Sequence, residues 1–422
     1  MNIVGRMSAV LTAALMCSAL FTACGESGAA ETAENESAQA SMTETEEQAL
    51  DSHTALVKSS LVSLGNTCRI KEKLAAMERG EDVAVAYLGG SITYGYTVNP
   101  DECWAKLTYD YLCEKYPSSS IDYVNAGLSG TPSILGNLRV RRDVLDYNAD
   151  IVFIEYAVND GNDKLYQESY DSLVKTVLEQ ENSPAVILLF NRTKEGHTAQ
   201  DYMKQIGEYY DLPMISTADA LTPALESGEI LWEDYYNDSS HPSPEGHKLF
   251  TEFIVNYFDE LEEAEADGEY SVPLVGKFGA PYENAVMIEA DYDNSDSGIA
   301  VESLGGFDKS ANGVSGFNKG WAYNKDSDGE PLKFTVTGNS LFLVCNRNNS
   351  SGMGKIEVYI DGTRAKVIDL NDPDGWGDPN AYQVIKWQSV KTMNVEIKIA
   401  EGSEDKITEI LAIGYSANET LM

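Results

Sequence analysis

From about Leu56 to Glu262 two hydrophobic patterns alternate along the chain. Short apolar runs at Val83–Leu88, Ile121–Ala126, Ile151–Ala157, Ala185–Phe190 and Pro213–Ser216 are rich in Val and Ile and bounded by breakers. Strands buried on both faces read this way. Between them, apolar residues recur every three or four positions, which predicts helices near 66–79, 102–115, 135–147, 166–180, 199–210 and 244–258. Ser243 is placed to cap the last of these, with Pro244 in its first turn. Strands alternating with helices predict a three-layer α/β/α domain with a parallel sheet over residues 55–262. The acidic stretch 259–270 marks its boundary. After Ser271 the helical period disappears, and short alternating runs at 334–336, 340–344, 355–360, 394–399 and 407–413 are separated by Gly, Asn and Asp turns. That pattern predicts a smaller all-β, sandwich-like domain over residues 271–422.

The first residues read as a processing signal. Arg6 supplies a positive start, and Met7–Phe21 is apolar but too short to span a bilayer comfortably. Leu20-Phe21-Thr22-Ala23-Cys24-Gly25 resembles a bacterial lipobox, which implies removal of the leader and lipidation of Cys24. Residues 1–24 are then a lipoprotein signal peptide, and the expected location is the extracytoplasmic cell surface, anchored in the membrane by lipid. Residues 25–54 are rich in Glu, Ala, Ser and Thr without a single Lys or Arg. They read as a disordered acidic tether.

Charge narrows the partners. With 68 acidic against 30 basic residues the formal charge is -38, and no Lys/Arg cluster exists to neutralise phosphates, so nucleic acid is excluded. A hydrophobic fraction of 43%, with 24 Tyr and 5 Trp, is enough for two cores, so the acidity belongs to a solvated surface. Beyond the leader and Cys24, the cysteines are Cys68, Cys103, Cys113 and Cys345. None has metal-ligand spacing. Cys103 and Cys113 point to different faces of one predicted helix and should not pair, and all four read as small buried hydrophobes.

Candidate chemistry sits at predicted strand ends. Gly89-Gly90-Ser91-Ile92-Thr93 follows the first apolar run and puts a serine at a strand's carboxyl end, where open α/β sheets build their sites. Asp238-Ser239-Ser240-His241 precedes the last helix. An Asp three residues ahead of a His is able to hold its Nδ1-H and leave Nε2 as a base. Of the other histidines, His53 ends the tether, His197 lies in a polar loop and His247 lies within the last helix. Two further segments, Asn125-Ala126-Gly127-Leu128-Ser129-Gly130 and Glu155-Tyr156-Ala157-Val158-Asn159-Asp160, end the second and third strands. They bring an oxyanion's donors within reach: the Ser91 backbone N-H, the Gly130 backbone N-H and the Asn159 amide.

In this order, a Ser after the first strand, a Gly, an Asn and Asp-x-x-His near the domain's end, the chain resembles the SGNH/GDSL hydrolase family over roughly residues 80–260. The resemblance implies Ser91 as nucleophile, Gly130 and Asn159 in the oxyanion hole, and Asp238 and His241 as acid and base. The sequence departs from the commonest form at Gly90, where Asp usually precedes the serine, and is similar to a subgroup reading G-G-S-I-T-x-G. The expected activity is ping-pong ester hydrolysis without metal or cofactor, falling in acid as the histidine base protonates. Surface anchoring and the appended domain favour O-acetyl groups of a polysaccharide as substrate. Trp321, Trp376 and Trp387 are candidate sugar platforms in the appended domain, though buried core is the plainer account, as it is for Trp232. Open alternatives are a lipase- or thioesterase-type acylhydrolase, acyl transfer between glycans, and a non-catalytic surface glycan-binding protein. Sequence alone does not fix the oligomeric state.

Overall fold

The computed structural model of the protein describes residues 44–291 and 298–418. The leader, Cys24 and most of the expected tether lie outside the described residues. Helix α1 (Glu44–Lys58) overlaps that tether, which the sequence reading carries through residue 54. The correction has a local cause: Glu, Gln, Ala and Leu are strong helix formers, and Lys58 sits in the last turn where the helix dipole favours a cation.

Six strands form the first sheet: β1 (Leu61–Ser63), β2 (Val83–Gly89), β3 (Ile121–Gly127), β4 (Ile151–Glu155), β5 (Ala185–Phe190) and β6 (Met214–Ser216). Their spatial order is β1-β6-β5-β4-β2-β3. All neighbours are parallel except β1, a short antiparallel edge strand that the hydrophobic pattern did not announce. The helices are α2 (Cys68–Glu78), the single turn α3 (Ser91–Tyr94), α4 (Trp104–Lys115), α5 (Ser133–Asp143), α6 (Lys164–Leu178), α7 (Gln200–Tyr209), α8 (Thr217–Ser227), the single turn α9 (Trp232–Tyr235) and α10 (Pro244–Glu263). Side chains alternate across the central strands. Ala86, Leu88, Val152 and Ile154 pack with Val140, Leu173, Val177, Met203 and Ile206 of α5, α6 and α7. Tyr87 and Phe153 point the other way and meet Trp104 of α4. Covering both faces explains the unbroken apolar strands.

The acidic stretch after residue 258 is not a free boundary. Helix α10 continues to Glu263, and Asp267 folds back to accept bonds from the backbone N-H and hydroxyl of Thr67 at 2.8 and 2.9 Å. The following segment is laid along α6 by side chains of that helix. Asp171 accepts the backbone N-H groups of Lys277, Phe278 and Ala280 at 3.1, 2.6 and 3.2 Å. Ser172 accepts that of Tyr282 and Thr176 that of Asn284.

The second domain is antiparallel throughout its named strands, in the order β13-β12-β14-β11-β15-β10-β9, with β7 beside β15 and β8 beside β11. These are β7 (Val286–Ile288), β8 (Ile299–Ser303), β9 (Phe307–Ala311), β10 (Gly320–Tyr323), β11 (Leu332–Asn348), β12 (Lys355–Ile360), β13 (Thr363–Asp369), β14 (Trp376–Ile399) and β15 (Glu409–Ser416). Strand β11 changes partners along its length: Lys333–Val336 pairs β8, and Ser340–Cys345 pairs β15. The expected runs 334–336 and 340–344 are therefore one strand with a register shift between Gly338 and Ser340. Its inward residues Phe334, Val336, Leu341, Leu343 and Cys345 share a core with β12, β14 and β15, all strands of one nine-stranded sheet. Phe342 and Val344, on the opposite face, pack with Leu135 and Leu138 of α5 and with Leu411 and Ala412. This part of the sheet is thus a layer covered on both sides, by the second domain's own core and by the α/β domain.

Candidate active site

Strand β2 lies between β3 and β4, with Gly89 opposite Gly127 on one side and Glu155 on the other. The three carboxyl ends finish level, so the residues that follow them meet at one edge of the sheet, at its topological switch point. Ser91 opens α3 there and is 8% exposed. As the first residue of a helical turn its backbone N-H has no intrahelical acceptor.

The loop between α9 and α10 brings in the other two side chains. It is pinned from several directions: Asn237 N-H to the His241 carbonyl at 2.8 Å, Lys194 N-H to the Ser239 carbonyl at 2.8 Å, and the Trp232 indole to the Asp238 carbonyl at 2.6 Å. Asp238 accepts the backbone N-H groups of Ser240 and His241, both at 2.8 Å, and its other oxygen meets His241 Nδ1 at 2.7 Å. His241 Nε2 lies 2.9 Å from the Ser91 hydroxyl. Burial alone would raise the Asp238 carboxyl, but the bonds from His241 and the two backbone N-H groups hold it below its ordinary value. A hydroxyl on an imidazole, itself held by an anionic carboxylate, is set to give up its proton as the oxygen attacks a carbonyl.

Gly130 has φ +71, a left-handed conformation that glycine adopts without strain, and it lies in the turn that follows β3. Asn159 follows β4. A Cβ on Gly90 would fall 2.2 Å from Asn159 Oδ1, so the glycine preceding Ser91 is what lets the Asn159 amide approach the serine turn. A side chain at position 90 would have to displace the Asn159 amide. Asn159 Oδ1 is buried and takes no hydrogen bond from the protein.

Beneath these residues lie buried polar groups that the sequence reading did not single out. The Arg139 guanidinium, 1% exposed, donates to the Gly89 carbonyl and the Tyr156 hydroxyl, each at 3.0 Å, and pairs with Asp143. It thus anchors the end of β2 just before the serine. The Thr93 hydroxyl donates to Glu155 at 3.2 Å, and burial, against that bond, pushes the carboxyl up to about 7. Burial likewise raises Asp160 to about 7, although it accepts from the Ser133 N-H and the Tyr202 hydroxyl. No periodicity points to such groups, because Arg139, Glu155 and Asp160 sit among apolar neighbours as ordinary helix or strand-end residues.

Two of the remaining histidines, His197 and His247, are engaged with other partners. His53 is on α1, and His197 Nε2 lies 3.0 Å from the Asp160 carbonyl. Burial drives His247 down to about 4, and its Nδ1 accepts the Trp104 N-H at 3.2 Å. Trp321 and Trp232 are buried, and Trp387 is half-buried beside Lys391. Trp376 alone of the four is openly displayed, 58% exposed, with its ring so close to Gly130 that a Cβ there would fall 2.0 Å from it. The cysteines Cys68, Cys103, Cys113 and Cys345 are unpaired; Cys103 and Cys345 are buried, while Cys68 and Cys113 are half-buried. Among the described residues, no group of three or more His, Cys, Asp or Glu could hold a metal ion, and no helix is long and apolar enough to cross a membrane.

Residues 87–249 match the model of the GDSL-like lipase/acylhydrolase family. No curated protein matches the chain by sequence. Among solved structures, a two-domain esterase active on acetylated mannans, crystallised with mannopentaose, is 24% identical and superposes with a TM-score of 0.75 over 87% of this chain and 99% of its own. A second structure of a two-domain esterase active on acetylated mannans is also 24% identical, with a TM-score of 0.76 over 86% of this chain and 99% of its own. The shared feature is the architecture, an α/β domain followed by an antiparallel β domain.

Proposed function

Starting from a GDSL-like lipase/acylhydrolase domain at residues 87–249, we propose that the protein is a serine esterase that removes O-acetyl groups from a polysaccharide. Ser91 attacks the ester carbonyl while His241 takes its proton. Asp238 keeps the ring's tautomer and steadies the imidazolium. The Ser91 and Gly130 N-H groups and the Asn159 amide receive the oxyanion. The alkoxide then leaves with the proton returned by His241, and water repeats the sequence on the acyl-enzyme. The observation that carries this reading is the unbroken relay from Ser91 Oγ to His241 Nε2 at 2.9 Å and from His241 Nδ1 to Asp238 at 2.7 Å.

Two features support a saccharide as the alcohol part. Trp376 offers an exposed aromatic face beside Gly130, suited to stacking on a sugar ring. The architecture, moreover, is shared with an esterase active on acetylated mannans. Acetate release from acetylated mannan, xylan and pectin by the purified protein, beside Ser91→Ala, tests the proposal. We expect release from a neutral glycan and none from the variant; equal rates for the two proteins would end it.

We further propose that Cys24 is lipidated and anchors the enzyme to the outer face of a membrane. Incorporation of an alkyne-tagged fatty acid should occur in the full chain and vanish in Cys24→Ala.

A further inference from the structure

Tyr96 touches two members of the proposed relay, Ser91 and His241. Its backbone N-H donates to the Ser91 carbonyl at 3.0 Å, and its ring lies 4.8 Å from the His241 ring at an interplanar angle of 61°. It is 51% exposed and has no part in the chemistry described above. The chain is bent sharply to put it there. Gly95 is left-handed at φ +84, and Thr97 is left-handed at φ +76. For a β-branched residue that conformation is rare, and it persists only where the surroundings enforce it. Here the enforcement is specific: Asn237 Nδ2 donates to the Thr97 hydroxyl at 2.9 Å, while the Asn237 backbone N-H holds the His241 carbonyl at 2.8 Å. The serine's turn and the histidine's loop are therefore joined twice, by the Asn237–Thr97 bond and by the Tyr96–His241 ring contact.

We propose that Tyr96 is a positioning residue that fixes the tilt of the His241 ring toward Ser91, with the strained Thr97 and its Asn237 bond holding Tyr96 in place. This rests on the esterase reading above. The His241 side chain is 19% exposed, so packing on this side is what limits its swing about the Asp238 bond. The ring is the part that matters; the phenol hydroxyl makes no contact with the relay.

Steady-state kinetics with p-nitrophenyl acetate, too small to reach a sugar subsite, test the proposal. Tyr96→Phe keeps the ring and should stay within about twofold of wild type, while Tyr96→Leu should lose at least about tenfold in kcat at unchanged KM and unchanged Tm. Asn237→Ala, which frees the loop from its other end, should lower kcat in the same way. Wild-type kcat in Tyr96→Leu would overturn the proposal. A rise confined to KM would also overturn it, by making Tyr96 a substrate contact. Should Tyr96→Leu fail to fold, wild-type kcat in Asn237→Ala overturns it instead. If wild type and Ser91→Ala turn over equally, the esterase reading itself falls, and this inference with it; the two failures are told apart by that control.

Discussion

At the scale of single residues, the site is organised around what is absent at position 90. Glycine there is the condition for Asn159 to approach Ser91, since a methyl would sit 2.2 Å from the amide oxygen. Gly90→Ala should therefore displace the amide and lower kcat by roughly 10²-fold, with little change in KM, as expected for a donor felt mainly in the transition state. Asp238→Asn should keep the fold but offer His241 the wrong partner. A loss of about 10³-fold or more in kcat, with Tm nearly unchanged, is expected. The buried carboxyls give a different kind of prediction. Glu155 binds its proton up to about 7 in the folded protein against an ordinary 4.5, so the native state holds a proton that the unfolded chain has lost. That contribution to stability is fully present below the ordinary value and is lost as pH rises through about 7. Thermal melts of Glu155→Gln and wild type from pH 5 to pH 8 should show the variant gaining relative stability as pH rises. A parallel pair of curves would show that Glu155 is not the group responsible.

At the scale of elements, the segment between the domains is held by α6. Asp171 alone accepts three backbone N-H groups and the Tyr210 hydroxyl, and burial raises its pKa despite those bonds. Asp171→Ala would strand these donors, and a loss of about 3 kcal/mol is expected in denaturant unfolding. Much of the element plan was legible in the sequence, and the misses have physical causes. The central parallel strands β2, β4 and β5 stand out because burial on both faces makes them continuous apolar runs, while the edge strand β3 is only partly buried. Strand β1 was missed because three half-buried residues carry no pattern. Helix α8 was missed because Pro223 lies inside it, although Ser216 caps its start by accepting the Asp219 N-H. In the second domain the short strands β7 to β10, β13 and the part of β14 before residue 394 went unread, because pairing partners far along the chain stabilise them rather than local propensity. The candidate residues Ser91, Asp238 and His241 were legible because each sits in a short motif at an element's end, and the fold brings them together. Tyr96, Arg139 and Glu155 lie beside neighbours that only the fold brings near.

At the scale of the whole molecule, the two domains share a face. Leu135 and Leu138 pack against Phe342 and Val344, and Lys386 pairs with the nearly buried Glu168, which also accepts from Tyr282. Removing residues 298–418 would bare this apolar surface, so the truncated chain should aggregate or melt well below the intact protein. Size-exclusion chromatography and a thermal melt would show it. Within the intact chain, Trp376→Ala should lower kcat/KM on acetylated polysaccharide by about tenfold while leaving p-nitrophenyl acetate turnover unchanged, because stacking is lost but the relay is not.

The doubly covered layer of the second domain also bears on how such an enzyme can be rebuilt. A carbohydrate-binding module on a slack linker can be cut out and attached to another catalyst. Here the second domain sets Trp376 against Gly130 at the rim of the proposed site and buries Phe342 and Val344 in the seam. Exchange between enzymes would have to move both halves together, and an engineer seeking new substrate preference should recut the rim in place rather than swap the module.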